Sequence, residues 1–514
     1  MSIPLRGESR YTSGPAVVLY LAAAKLLLHL LTARNYGYFV DELYYLACSE
    51  HLDWGYVDQP PLIAVVTKVA RVLLGDSLLA LRFFPAAAGA GTVLLAGGIA
   101  GALGGRRFAQ ALAALAVLVA PIYLGLDHLL TMNAFEPLFW MGDAYVVIRV
   151  IQTGNPKLWL WFGLLAGLGL QNKHSMLFFG FGIFAGLLLT PERKLLRSRW
   201  IWIAGLLALL IFLPNLLWQI HRGFPTVEML SNVQRSGRNV SLNAIAFLLQ
   251  QVLVLHPLAF PIWLAGLWFY LLSRDGKPYR ALGWAYVVVL VSLLILEGRV
   301  YYLAPVYPML LGAGAIVIQD WLKRWDREWL RPAYVAALVM TGALLAPFSL
   351  PVLPAETYIR YSRALHFEPP RIETHRMGKL PQLYADQFGW EEMAATVARA
   401  YHRLPPQEKA KTAIFGNNYG QAGAIDFFGP KYGLPKAVSA HQNYFYWGPR
   451  EYTGESVLVL GDRRENVEKV CADIEQVAVV EHEYSMPYQN FPVFHCRGLK
   501  EPLSQLWPKL KKWP

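Results

Sequence analysis

Asp41 and Glu42 stand together directly after the first apolar run, behind Tyr36–Gly37–Tyr38–Phe39–Val40. Acidic residues at membrane depth are expensive to keep and mark function by default. A carboxylate here would face a cleft at the outer bilayer surface. The plain structural alternative is a helix cap, because Asp and Glu favour a first helical turn. The following Leu43–Tyr44–Tyr45–Leu46–Ala47–Cys48 has the pattern of an interfacial helix. Asp58 comes next, in Trp54–Gly55–Tyr56–Val57–Asp58–Gln59–Pro60–Pro61–Leu62, where the two prolines set a rigid extended approach to another helix. Asp58 can cap that helix or converge with Asp41 on one site.

A second group of polar residues is spread over later span ends: Asp127–His128, Asn133 and Glu136, Lys173 and His174, and Arg299–Val300–Tyr301–Tyr302. A cation held at the membrane boundary suits a lipid phosphate, because Lys and Arg pair strongly with phosphate oxygens. The alternative is snorkelling to headgroups. Snorkelling is the reading for Arg222, Arg235 and Arg238, and phosphate contact the reading for Lys173 and Arg299.

The elements that must position these residues are written in the composition. Of 514 residues, 55% are hydrophobic and 16% charged, with mean hydropathy +0.32. A soluble domain carries about 25% charged residues, so this chain has too little polar surface for a water-soluble body, and it is far too apolar to be disordered. It reads as a polytopic α-helical membrane protein. Apolar runs near the ~20 residues needed to span fall at 15–33, 80–103, 107–125, 133–151, 158–172, 175–190, 200–220, 244–272, 281–297, 303–320 and 333–350, which makes about 11 spans. The first run is too long for a signal-peptide core and lacks a small-x-small cleavage site, so it is expected to remain as an anchor.

The net charge of +12 would suggest nucleic acid in a soluble protein. Here it follows the alternate loops: Arg6 and Arg10; Arg106 and Arg107; Lys157; Arg193, Lys194, Arg197 and Arg199; Arg274, Lys277 and Arg280; Lys323, Arg324, Arg327 and Arg331. The positive-inside rule puts these loops in the cytoplasm, and the 34–79 loop and the tail outside. Residues 351–514 carry about 20 basic and 18 acidic residues, an ordinary soluble balance. Helical periodicity at Glu391–Arg403 and β-type runs at Thr412–Phe415, Ser456–Leu460 and Val477–Val480 predict a small α/β domain. The organisation expected is a transmembrane domain at 1–350 and a soluble extracytoplasmic α/β domain at 351–514. Cys471 and Cys496 can pair if the compartment is oxidising. Tyr444, Tyr446 and Trp447 beside His441 form either a packed aromatic loop or a glycan-stacking surface, with packing preferred.

The ordered set of motifs resembles the bacterial branch of the dolichyl-phosphate-mannose–protein mannosyltransferase family, membrane glycosyltransferases of the GT-C fold related to the lipid A aminoarabinose transferases. It is carried by Phe39–Val40–Asp41–Glu42–Leu43–Tyr44–Tyr45, the 54–62 segment, Gly75–Asp76–Ser77–Leu78 with Leu81–Arg82–Phe83–Phe84–Pro85, Asn133–Ala134–Phe135–Glu136–Pro137–Leu138–Phe139–Trp140, Gly167–Leu168–Gly169–Leu170–Gln171–Asn172–Lys173, and Tyr301–Tyr302–Leu303–Ala304–Pro305–Val306–Tyr307–Pro308. The resemblance covers roughly residues 15–350. Asn417–Asn418–Tyr419–Gly420 and His441–Gln442–Asn443–Tyr444 look like features of the bacterial subgroup.

The resemblance implies a polyprenyl-phosphate sugar donor, a hydroxyl acceptor on a protein, lipid or glycan, and an active site in the first outer loop, 34–79, of a bacterial inner-membrane enzyme. It implies Asp41 as catalytic base, with Glu42 and Asp58 beside it. Lys173, Arg299, Tyr301 and Tyr302 would hold the donor phosphate, and His128, Asn133, Glu136 and His174 would contact acceptor or donor. No cofactor is certain, and a divalent cation at Glu42 and Asp58 is left open. Where the aminoarabinose transferases have Glu-Lys-Pro, this chain has Asp58–Gln59–Pro60, which argues against carrying over their sugar specificity. The competing classes are a transporter or flippase of a lipid-linked substrate, which would favour repeated halves, and a membrane-anchored binding protein worked by its tail.

Overall fold

The computed structural model describes residues 10–513; Arg6 of the first basic loop lies outside them. The described chain forms two compact units.

Among the described residues the first unit comprises 10–34, 79–217 and 241–352 and is helical. Each of the eleven apolar runs becomes a helix or a pair of helices. Among the described residues, however, only six helices are long and apolar enough to cross a membrane, or up to eight if two sharply bent pairs each count as one span. The shortfall from eleven has local causes. Pro121 follows directly on Ala120 and splits the 107–125 run into Arg107–Val119 and Pro121–Leu126. The 158–172 run gives a 14-residue helix. The Met132–Thr153 helix carries Glu136, Asp143 and Arg149, which lower its hydropathy. The 244–272 run bends by 101° around Pro257.

Packing in this unit relies on small residues, as expected where apolar contact alone gives no preference over lipid. A side chain at Gly266 or Gly314 would collide with the backbone at Leu310 or Ile262 respectively, so the Phe260–Leu272 and Tyr307–Arg324 helices lie backbone against backbone. The Arg199–His221 helix is exposed at Leu206, Leu209 and Leu210, a surface suited to lipid.

The second unit comprises the described residues 35–78, 218–240 and 353–513. The first outer loop therefore packs as one body with the tail. Its sheet has four strands, β1 (Thr412–Gly416), β2 (Ser456–Leu460), β3 (Cys471–Val480) and β4 (Phe491–Leu499), in the order β1-β2-β4-β3. Only β1 and β2 pair in parallel; the other neighbours are antiparallel. The three β-type runs read from sequence are all present. β4 was not singled out there, and Pro492 near its start explains why, since proline demotes a run as a strand.

Cys471 and Cys496 form a disulfide between β3 and β4, whereas Cys48 is free and buried. Replacing both bridging residues, Cys471→Ser with Cys496→Ser, is expected to lower the stability of this unit by about 3 kcal/mol, the loop-entropy value for a closure of this size. A urea-denaturation midpoint compared between the variant and the parent checks it.

Candidate active site

Asp41 and Glu42 open the Val40–Glu50 helix, and they divide the two readings made from sequence. Glu42 is fully buried, and its Oε2 accepts the Phe39 N–H at 2.9 Å. That is a helix-capping contact from the third position of the helix, so Glu42 serves the cap. Asp41 instead receives the Tyr419 hydroxyl on Oδ1 at 2.7 Å. The same second unit brings Asp58 alongside: its Oδ1 accepts the Tyr44 hydroxyl at 3.1 Å. The Tyr44 and Tyr419 rings lie 4.7 Å apart and are tilted by 32°. The result is two adjacent carboxylates, each served by a phenol.

The frame behind this pair is tight. Asn443 donates its N–H to the Tyr44 oxygen at 3.3 Å and accepts the Val57 N–H on Oδ1 at 2.8 Å, tying both carboxylate-bearing segments to the tail. The Tyr419–Phe428 helix lies directly on the Val40–Glu50 helix. A Cβ at Gly423 would come within 2.8 Å of the Leu43 carbonyl. A Gly423→Val change is therefore expected to cost about 1–3 kcal/mol, as overpacking does, and to lower the melting temperature while also reducing any activity that depends on Asp41. Val40 N–H donates to the Asp386 carbonyl at 3.1 Å, and Asp386 Oδ1 accepts from Tyr488 at 2.5 Å and Gln489 at 3.0 Å.

Burial first, and the charge of Asp41 second, push the Asp58 carboxyl up to about 7. The sign of its effect follows. The folded-state value lies above that of an unfolded aspartate, near 4, so between about 4 and 7 the folded protein holds a proton that the unfolded chain has lost. This favours the fold at the acidic end of that window, and the advantage is gone once pH rises through 7. Asp58→Asn keeps an acceptor for Tyr44 and removes the titration. It is expected to raise the melting temperature at pH 8 and to flatten its dependence on pH between 6 and 8, which thermal scans at both pH values test.

Among the described residues no group of three or more His, Cys, Asp or Glu side chains is arranged to hold a metal ion. With Glu42 engaged in capping, Asp41 and Asp58 alone make a sparse oxygen set beside what a hard divalent cation takes. Gln59, where the aminoarabinose pattern has lysine, is fully buried with its amide toward Cys48 Sγ at 3.8 Å.

The first unit gathers a different set. Lys173 Nζ lies 2.9 Å from both Glu136 Oε2 and Asn133 Oδ1, and 4.4 Å from the Tyr302 ring centre, with the Tyr301 ring at 5.9 Å. Ser175 donates to the other Glu136 oxygen. Arg299 Nη1 donates to the Tyr301 hydroxyl at 3.4 Å. Lys173 terminates one helix at Asn172, and Tyr301 and Tyr302 belong to a tight turn of helix at Val300–Val306. Asn133, Glu136, Lys173, Tyr301 and Tyr302, drawn from three separate stretches of the chain, thus share one cation-centred cluster. The ion pair with Glu136 and the bond to Asn133 use two of the three ammonium donors of Lys173.

His128 and His174 do not join it. His128 is buried with Nε2 at 3.1 Å from Arg82 Nη1, next to the buried Lys25–Asp127 pair at 2.9 Å. His174 contacts Asn215 Oδ1 at 3.0 Å. Arg238 does not snorkel: it pairs with the buried Glu373 at 3.1 Å. Arg222 lies 4.5 Å from the Tyr446 ring centre. The aromatic stretch near His441 is packed, with Tyr444 buried and donating to Asp426 at 2.8 Å and Trp447 stacked on His51 at 4.4 Å. The contact that sequence reasoning missed is Tyr419 on Asp41. Its only signal was the subgroup motif Asn417–Asn418–Tyr419–Gly420.

Residues 58–218 match the family model described as dolichyl-phosphate-mannose-protein mannosyltransferase. That stretch includes Asp58, His128, Asn133, Glu136, Lys173 and His174, whereas Asp41, Glu42, Arg299, Tyr301 and Tyr302 lie outside it. No curated protein matches the chain in sequence. Among solved structures, ArnT from Cupriavidus metallidurans bound to undecaprenyl phosphate is similar over 93% of this chain and 97% of its own, with TM-score 0.60 and 16% identity. The Archaeoglobus fulgidus oligosaccharyltransferase in complex with Zn and sulfate is similar over 82% of this chain and 62% of its own, with TM-score 0.52 and 16% identity. The arabinofuranosyltransferase AftD from Mycobacteria matches over 94% and 40%, with TM-score 0.52 and 14% identity. The chain has the GT-C fold of a polytopic membrane protein with a small C-terminal sheet. The resemblance read from its motifs is matched by the family model over residues 58–218 and by the fold of these structures.

Proposed function

We propose that this protein moves a sugar from a polyprenyl phosphate to a hydroxyl acceptor, with inversion at the anomeric carbon. The observation that carries the reading is Asp41: its Oδ1 already receives an O–H donor at 2.7 Å, the separation a general base needs from the hydroxyl it deprotonates. The acceptor oxygen attacks the anomeric carbon as Asp41 takes its proton, and the carbon–phosphate oxygen bond breaks with its electron pair leaving on the phosphate. Lys173 and Arg299 neutralise the charge that grows on that phosphate, with the Tyr301 and Tyr302 hydroxyls as further donors. Asn133 and Glu136 hold the Lys173 ammonium. Asp58 stands ready to orient the acceptor, and Glu42 fixes the helix that presents Asp41.

The undecaprenyl phosphate bound to ArnT in the similar structure supports a donor of this class. The alternating basic loops and the Cys471–Cys496 bridge favour a bacterial inner-membrane protein whose second unit faces an oxidising, extracytoplasmic compartment. The acceptor belongs to the protein, lipid or glycan hydroxyls on that face. The test is reconstitution in vesicles with polyprenyl-phosphate sugars radiolabelled in the sugar and extracted from the expressing membranes. Label appearing on a second molecule with release of free polyprenyl phosphate is expected. Label that crosses the bilayer still attached to its lipid would replace this reading with a flippase.

A further inference from the structure

The position Tyr419 occupies is the one an acceptor would need. Its hydroxyl donates to Asp41 Oδ1 at 2.7 Å, and a substrate hydroxyl about to lose its proton to Asp41 would make the same bond. The other phenol of the pair is locked: Tyr44 is buried, donates to Asp58 and accepts from Asn443. Tyr419 is half-buried and is the first residue of its helix, after the Asn418 cap that accepts the Gln421 N–H. The helix itself cannot slide, because Gly420 and Gly423 press on Val40 and Leu43. What can move is the Tyr419 side chain, which lies against the Tyr44 and His441 rings.

We propose that the Tyr419 phenol is a stopper: without acceptor it fills the proton-accepting position of Asp41, and an acceptor hydroxyl must displace it. The inference rests on the reading of Asp41 as base. Its consequence concerns water. A glycosyltransferase whose base is open to water wastes donor, because water adds its oxygen to the anomeric carbon, gives its proton to Asp41 and expels the polyprenyl phosphate. A phenol on Asp41 blocks that reaction while leaving it open to an acceptor that binds well enough to turn the ring aside. Burial and the charge of Asp41 hold the Tyr419 phenol well above its ordinary pKa, so it stays a donor throughout the neutral range.

The experiment measures release of free sugar from the radiolabelled polyprenyl-phosphate sugars with no acceptor present. Tyr419→Phe keeps the ring and removes the donor. A hydrogen bond to a charged group is strong enough that its loss should raise acceptor-free hydrolysis about ten-fold or more. Tyr419→Leu, judged for folding by its melting temperature, should do the same. Hydrolysis that is unchanged or reduced in both variants overturns the stopper and makes Tyr419 a residue that merely orients Asp41. The double variant Asp41→Asn with Tyr419→Phe separates the two claims. If it hydrolyses donor as fast as Tyr419→Phe, Asp41 is not the base; if it is silent and Tyr419→Phe shows no gain, only the stopper fails.

Discussion

Asp41→Asn is expected to slow sugar transfer severely while leaving the protein folded. The substitution keeps the shape of the side chain and its ability to accept the Tyr419 hydroxyl, so the packing of the Val40–Glu50 helix has no reason to change. What it removes is the capacity to take a proton. General-base catalysis contributes about 10²–10⁴-fold to rate, and the expected loss in kcat falls in that range, with a matching loss in kcat/KM, since the interaction is made only in the transition state. Binding of undecaprenyl phosphate should persist, because the proposed phosphate contacts lie on other segments of the chain. A variant that inserts, melts at the parent temperature and transfers at the parent rate would remove Asp41 from the mechanism. The neighbouring Glu42→Ala gives the contrast. Glu42 caps the helix, so its loss should lower the melting temperature first and activity only as the helix loosens.

That contrast shows where sequence was sufficient and where it was not. The Asp41–Glu42 pair was conspicuous because two carboxylates beside an apolar span are costly, yet the two residues divide the two readings between them: one caps and one faces a hydroxyl. The fold class was legible from the deficit of charge and the spacing of apolar runs. The continuity of individual runs was less so, because Pro121 and Pro257 break runs that hydropathy alone reads as continuous. Contacts between distant segments were out of reach. Tyr419 lies 378 positions from Asp41, and nothing local in either segment announces the other. Arg238 looked like a snorkelling cation because its partner Glu373 sits in a separate stretch of the tail. Glu136 was visible as a polar residue in an apolar helix, but its role as counter-ion to Lys173 depends on a turn 37 positions away.

The Lys173–Glu136 pair sets up the second large effect. Lys173→Met should slow transfer by about 10²–10³-fold, the usual loss when a group that stabilises transition-state charge is removed. The single variant has a second consequence that must be separated from the first. Both partners are largely buried, with side-chain exposures of 15% and 4%, and stripping one member from a buried pair leaves an uncompensated charge at a cost of about 3–5 kcal/mol. Lys173→Met alone would therefore lose stability as well as rate. Adding Glu136→Gln removes the orphaned charge and keeps an acceptor for Ser175, so the double variant should recover most of the melting temperature while remaining slow. Glu136→Gln by itself frees the Lys173 charge from its internal partner and should tighten binding of undecaprenyl phosphate, because the ammonium no longer divides its field between a carboxylate and a phosphate. These three proteins discriminate between roles that a single knockout confuses. If the double variant regains rate along with stability, Lys173 is a structural counter-ion and the departing phosphate is neutralised elsewhere. If rate stays low while folding returns, the lysine acts on the phosphate, and Glu136 is the residue that holds it in place until the donor arrives.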